Sequence, residues 1–122
     1  MELQVTARHF DLTPELKVYA ESTVFPLKKY FDRIIDSHLV LDIQKRRMIA
    51  ELTVDVFGQK LIAHSITDDL YVSIDGVVDK MQRQLKRYSA RFNEHRGLTD
   101  EEKINLAAKI TSDMENEIQD TI

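Results

Sequence analysis

The chain has 122 residues, of which 43% are hydrophobic and 31% charged, and it contains no cysteine. This length suits one domain with a single core, and no apolar run approaches the roughly 20 residues that cross a bilayer. The lack of cysteine excludes disulfides and thiolate metal sites and fits a reducing cytoplasm. The N-terminal residues resemble no leader or signal sequence, so we expect a cytoplasmic protein without a membrane segment.

A strand and a helix are predicted first in the chain. Apolar and polar residues alternate over residues 3–8, which indicates a strand with one buried face. Thr13 can cap a helix and Pro14 suits its first position, so a helix is predicted to begin there. We expect a kink or break at Pro26, because proline lacks a backbone donor, and an end near Tyr30. The apolar side of this helix consists of Leu16, Ala20, Thr23, Leu27 and Phe31.

Three more strands are predicted in the middle of the chain. Alternation over residues 34–45 and again over 48–56 indicates two strands joined by the polar connection Lys45–Arg47. Gly58 suits a turn, since glycine tolerates positive φ, and residues 60–67 are predicted to return as a fourth strand.

The buried face of the fourth strand is left open by the sequence. Leu61 and Ala63 are apolar on one face, and Ile62 and Ile66 are apolar on the other. Either face, or both in part, is therefore compatible with burial.

A long amphipathic helix gives the strongest periodic signal. Thr67, Asp68 and Asp69 are candidate caps before it. The element order β-α-β-β-β-α predicts an α+β fold, a two-layer sandwich with a four-stranded mixed sheet and two helices packed on one face. The core stripe of the long helix consists of Leu70, Ile74, Val77, Val78, Met81, Leu85, Tyr88 and Phe92, which fall within roughly 100° of one another.

The side of this helix away from the core is cationic. Between positions 79 and 96 six basic residues meet two acidic ones, although the whole chain carries a net charge of -4. Such like charges repel one another, and a polyanion would relieve the repulsion. A solvated surface is the alternative interpretation, and Lys28 and Lys29 extend the cationic side if the two helices lie side by side. The cations of the long helix are Lys80, Arg83, Arg87 and Arg91, flanked by Lys86.

Five blocks of sequence share one resemblance. They are Ala7–Leu16, Lys29–Asp36, Asp68–Tyr71, Ile74–Asp75 and Val78–Tyr88. In this order, over residues 1–95, they closely resemble the bacterial ribosome hibernation promoting factor and ribosome-associated inhibitor family. Several blocks at compatible spacing are more specific than one short motif. The resemblance implies a β-α-β-β-β-α domain that lies in the tRNA and mRNA channel of the small ribosomal subunit, contacts ribosomal RNA, blocks initiation and protects idle ribosomes.

The resemblance also implies which residues contact RNA. His9 is either structural at the strand end or an RNA ligand, and Tyr71 either stacks on a base or closes the core. Asp69, Asp75 and Asp79 are expected to cap and pair within the helix rather than to catalyse. The implied RNA-contacting residues are Lys80, Arg83, Lys86, Arg87, Arg91, Lys28, Lys29 and Arg8.

The C-terminal part of the chain is acidic. We predict a ribosome-binding domain over residues 1–97 and an acidic extension over 98–122, in which seven acidic residues meet two basic ones. Thr99–Glu102 resembles a capping box and precedes a weak helical stripe, so a short helix is compatible, but a mobile extension is the favoured interpretation. The chain resembles the short members of the family, or a truncated long member, because no room for a ribosome-pairing domain remains after Gly97.

Enzymatic functions find no support in the residue inventory. Three glycines form no phosphate-cradling loop, and the four histidines show no metal-ligand spacing. We therefore expect no catalysis, cofactor, metal or small-molecule substrate. The alternative function is a protein-interaction module that binds a regulatory protein through the open sheet face or the acidic tail.

Overall fold

The computed structural model describes residues 2–30, 34–56, 59–93 and 100–119, apart from the side chains of residues 35, 92, 93, 100, 113 and 115–119. The predicted α+β order is confirmed, with one helix added after it. No helix in these ranges is both long and apolar enough to cross a membrane. In chain order the elements are β1 (Glu2–Arg8), α1 (Pro14–Val24), a 3-10 helix (Phe25–Lys29), β2 (Ile34–Gln44), β3 (Arg47–Val56), β4 (Gln59–Thr67), α2 (Leu70–Asn93) and α3 (Asp100–Gln119).

The four strands form one mixed sheet in the order β1-β2-β3-β4. β1 is parallel to β2, while β2, β3 and β4 are successively antiparallel. α2 packs against β3 and β4, and this decides which face of β4 is buried. Leu61 and Ala63 lie in the core, whereas Ile62 and Ile66 are 45% and 55% exposed on the other face.

The predicted start and break of the first helix are confirmed. The Thr13 side chain accepts a hydrogen bond from the Leu16 amide at 3.2 Å, which caps α1. α1 ends at Val24, and the tighter 3-10 helix that follows contains Pro26. Val24, rather than the half-buried Thr23, completes the buried stripe, and Phe31 lies outside the described residues.

α2 is held against the sheet by its apolar stripe and by a close backbone approach. Asp69 caps the helix, because its Oδ1 accepts from the Tyr71 amide at 2.8 Å. At Gly76 an added Cβ would lie only 2.6 Å from Ser65 Oγ on β4. Burial raises the pKa of Tyr88, a member of the stripe, to about 12. The stripe residues Ile74, Val77, Val78, Met81, Leu85 and Tyr88 are buried, Leu70 is only partly buried, and the Phe92 side chain lies outside the described part.

The acidic extension differs from the mobile segment that the sequence favoured. Residues 100–119 form α3, which packs against α2 and β4. Ala107, Ile110 and Met114 are at most 4% exposed and belong to the same core as the sheet, whereas Ile104 is exposed. The weak stripe is therefore sufficient once a neighbouring apolar surface exists, and periodicity within one helix does not reveal such a surface. The capping box at Thr99 lies outside the described residues.

Candidate nucleic-acid interface

Four of the five predicted cations of α2 are exposed, Lys80 among them. The other three are Arg83, Lys86 and Arg87. Arg83 Nη2 contacts Asp79 Oδ2 at 2.6 Å one turn earlier, and both side chains are more than half exposed. Such an exposed pair contributes only about 0.3–0.5 kcal/mol, so a phosphate can compete for Arg83 at little cost.

Two lysines from different helices meet at Tyr30. Lys86 Nζ of α2 lies 5.1 Å from the centroid of the Tyr30 ring, and Lys29 Nζ of the 3-10 helix lies 5.2 Å from it. Each contact has cation–π geometry, in which the ring face attracts the ammonium group. The two helices therefore do lie side by side, and their cations share one surface.

We call this surface the basic face. Its defining residues are all exposed cations: Lys28, Lys29, Arg83, Lys86 and Arg87. Tyr30 joins the two helices at its centre, a role that the sequence analysis missed. The available signal was the adjacency of Lys29 and Tyr30 in one block, but the approach of Lys86 depends on tertiary packing.

Lys80 and Arg91 differ from the residues of the basic face. Lys80 Nζ donates to the His64 carbonyl at 2.7 Å, and Gln84 Nε2 donates to the Ile62 carbonyl at 3.0 Å. Both carbonyls belong to β4, an edge strand of the sheet. These side chains cap backbone acceptors that an edge strand leaves unpaired. Arg91 is half-buried one turn beyond Arg87.

Arg8 lies at the opposite end of the sheet from the basic face. It pairs in register with Asp42 near the C-terminal end of β2, whereas Tyr30 precedes the N-terminal end of that strand. Its neighbour His9 adopts φ 65° and donates from Nδ1 to Asp42 Oδ1 at 2.7 Å. The hydrogen bond from His9, together with one from Gln44, holds the pKa of Asp42 below its ordinary 3.8. His9 thus makes a structural contact between β1 and β2.

The aspartates of α2 and of its cap bond to other groups of the same fold. Asp69 caps the helix and Asp79 pairs with Arg83, as predicted. Asp75 instead accepts from the Tyr19 hydroxyl of α1 at 2.5 Å, and this hydrogen bond raises the pKa of Tyr19. Tyr71 packs edge-on against Tyr19 at 4.9 Å and remains 43% exposed.

Comparisons with known proteins agree with this architecture. Residues 3–93 match the family model described as Sigma 54 modulation protein / S30EA ribosomal protein. The ribosome hibernation promoting factor of Salmonella typhimurium is 32% identical over 95 residues, which is 78% of this chain and all of that protein. The corresponding factor of Escherichia coli K12 is 30% identical over the same length.

Solved structures give the same result. A ribosomal subunit interface protein from Coxiella burnetii superposes with a TM-score of 0.69 and 28% identity, covering 74% of this chain and 99% of that one. The N-terminal domain of Thermus thermophilus Protein Y gives a TM-score of 0.66 and 28% identity, covering 72% and 99%. The family match ends at residue 93, before α3 begins. The chain therefore belongs to the Sigma 54 modulation and S30EA ribosomal protein family, a family of ribosome hibernation factors that are binding proteins and not enzymes.

Proposed function

We propose that this protein is a cytoplasmic hibernation factor that binds the small ribosomal subunit in its tRNA and mRNA channel and thereby inhibits translation. The observation that carries the proposal is the meeting of Lys29 and Lys86 at Tyr30, which joins the cations of two helices into one exposed basic face. A row of cations on one surface is the arrangement that binds the phosphates of RNA.

The local field of this face explains how an acidic chain binds a polyanion. The net charge of -4 is dominated by the C-terminal residues from Leu98 onward, where seven acidic residues meet two basic ones. Charges interact strongly within a Debye length of about 8 Å at physiological salt. A phosphate at Tyr30 lies close to Lys29 and Lys86, whose Nζ atoms are 5.2 and 5.1 Å from the centroid of that ring.

Charge reversal on the basic face tests the proposal directly. We expect Lys86→Glu with Arg87→Glu to abolish co-sedimentation with purified small subunits, because both side chains are exposed on the basic face and the change reverses their charge. The matched control is Lys60→Glu with Lys109→Glu, which makes the same charge change at two exposed lysines elsewhere. Equal loss in both variants, or binding retained in the first, would refute the role of the basic face.

Occupation of the channel has its own readout. A protein that lies in the tRNA and mRNA channel competes with initiator tRNA for the small subunit, so filter-bound initiator tRNA should fall as the protein is added. The Lys86→Glu, Arg87→Glu variant should not compete. Simultaneous binding of the protein and initiator tRNA would place the protein outside the channel.

A second candidate function rests on the open sheet face. Ile62 and Ile66 are about half exposed there, on either side of His64, and exposed apolar side chains on one face suit an apolar protein interface. Salt distinguishes the candidates, since binding through phosphates weakens steeply with salt concentration and an apolar interface barely responds.

A further inference from the structure

The tip of the β2–β3 hairpin carries a second group of cations. Lys45, Arg46 and Arg47 are consecutive and exposed. Gln44 and Arg47 are paired in register, so the turn itself consists of Lys45 and Arg46 alone. Among the residues that the structure describes, none of the three has a carboxylate partner, whereas Arg83 on the basic face is paired with Asp79.

The turn holds a lysine in a conformation that disfavours it. Lys45 has φ 58°, in the left-handed region where a side chain crowds the following carbonyl and glycine does not. Glycine or asparagine is the residue that two-residue hairpin turns favour at such a position. The lysine therefore does not serve the geometry of the turn, but it makes the tip a run of three cations.

The hairpin tip and the basic face lie at opposite ends of the molecule. Ser73, in the first turns of α2, donates to the Met48 carbonyl at 2.6 Å, which places that end of the helix beside the hairpin. Lys86 lies thirteen residues further along α2, or about 20 Å. Adding the reach of the hairpin beyond Met48 gives a separation of roughly 25 Å, about three Debye lengths at physiological salt. The two groups therefore act on different phosphates.

We propose that the hairpin tip, Lys45–Arg47, is a second phosphate-binding site. It binds an RNA backbone while the basic face binds another part of the same RNA. This inference rests on the proposed function, because it takes ribosomal RNA as the shared partner. RNA fits the tip because its backbone offers consecutive phosphates to a consecutive row of cations, and the two arginines can each hold a phosphate through two hydrogen bonds. Arg8, which the family resemblance implies as an RNA-contacting residue, lies at this same end of the sheet and belongs to the proposed second site.

Neutralising the tip tests the proposal without disturbing the basic face. In Lys45→Gln, Arg46→Gln, Arg47→Gln we expect affinity for small subunits to fall about a hundredfold at 0.1 M salt, and the slope of log affinity against log salt to flatten by about 2 to 3, since three phosphate contacts are lost. A photoreactive residue in place of Arg46 should cross-link to ribosomal RNA. Unchanged affinity and slope, or a cross-link to a ribosomal protein, would overturn the inference.

A single variant separates a binding role of Lys45 from a structural one. Lys45→Gly should raise the Tm, because it relieves the left-handed backbone, and should weaken subunit binding about fivefold, because one phosphate contact is lost. A fall in Tm or unchanged binding would contradict the proposal.

The two proposals fail in different ways. If the wild-type protein does not co-sediment with small subunits at all, both the proposed function and this inference are refuted. If the wild-type protein binds and the Lys86→Glu, Arg87→Glu variant does not, but the neutralised tip still binds normally, only the second site is refuted.

Discussion

Salt dependence gives the most quantitative test of the basic face. Lys28, Lys29, Lys86 and Arg87 are four exposed cations of this surface, and the fifth, Arg83, pairs with Asp79. If each neutralises one phosphate, replacing all four with glutamine should flatten the slope of log affinity against log salt by about 2.8 to 3.6. Over a fourfold rise in salt this difference corresponds to about 50- to 150-fold in affinity.

The assay is binding of fluorescently labelled protein to purified small subunits between 50 and 200 mM salt. Comparing slopes removes the contribution of any other cationic surface, because that contribution is common to the wild type and the variant. Lys86→Gln alone should flatten the slope by about 0.7 to 0.9. A quadruple variant that binds with the wild-type slope would show that these side chains touch no phosphate, whatever happens to the affinity itself.

Three predictions concern the fold. Gly76→Ala should destabilise the protein by about 1–3 kcal/mol in urea unfolding, because the new Cβ would meet Ser65 Oγ at 2.6 Å. Adding Ser65→Ala should restore much of this loss. If the two substitutions change the free energy of unfolding additively, the contact is contradicted. Ile110→Ala should cost about 2–5 kcal/mol, since this α3 residue is 4% exposed, and a change near zero would show that α3 is not part of the core. Asp42→Asn should lower the Tm at neutral pH but not in acid. The depressed pKa of Asp42 gives stability that is present above pH 3.8 and is lost as the pH falls through the folded-state pKa. If the Tm curves of wild type and variant stay parallel down to pH 2.5, the role of the contact with His9 is refuted.

Elements governed by local patterns were predictable from the sequence. The Thr13 cap, the break at Pro26 and the stripe of α2 depend on residues within a few positions of one another, and all three are confirmed. The buried face of β4 was not predictable, because Leu61 and Ile62 are equally apolar and only the placement of α2 distinguishes them. The packing of α3 was missed for the same reason.

The candidate site divides in the same way. Exposure of Arg83 and Arg87 follows from helix periodicity and was predicted. The contact of Lys80 with the β4 edge and that of Lys86 with Tyr30 join residues 16 and 56 positions apart, so no periodic pattern contains them. Sequence could therefore identify a cationic helix but not which of its charges serve the fold.

The charges of α2 are segregated along its length. Asp69 precedes the helix as its cap, Asp75 and Asp79 lie in the first half, and the cations from Lys80 to Arg91 follow them. The two ends of the helix match its macrodipole, whose positive end favours the capping carboxylate of Asp69 and whose negative end favours Arg91. The carboxylates of Asp75 and Asp79 lie between two cationic groups, the hairpin tip near Ser73 and the basic face at Tyr30. An anionic surface is attracted at both of these places and repelled between them, so the charges favour docking along the length of α2 during the diffusional encounter.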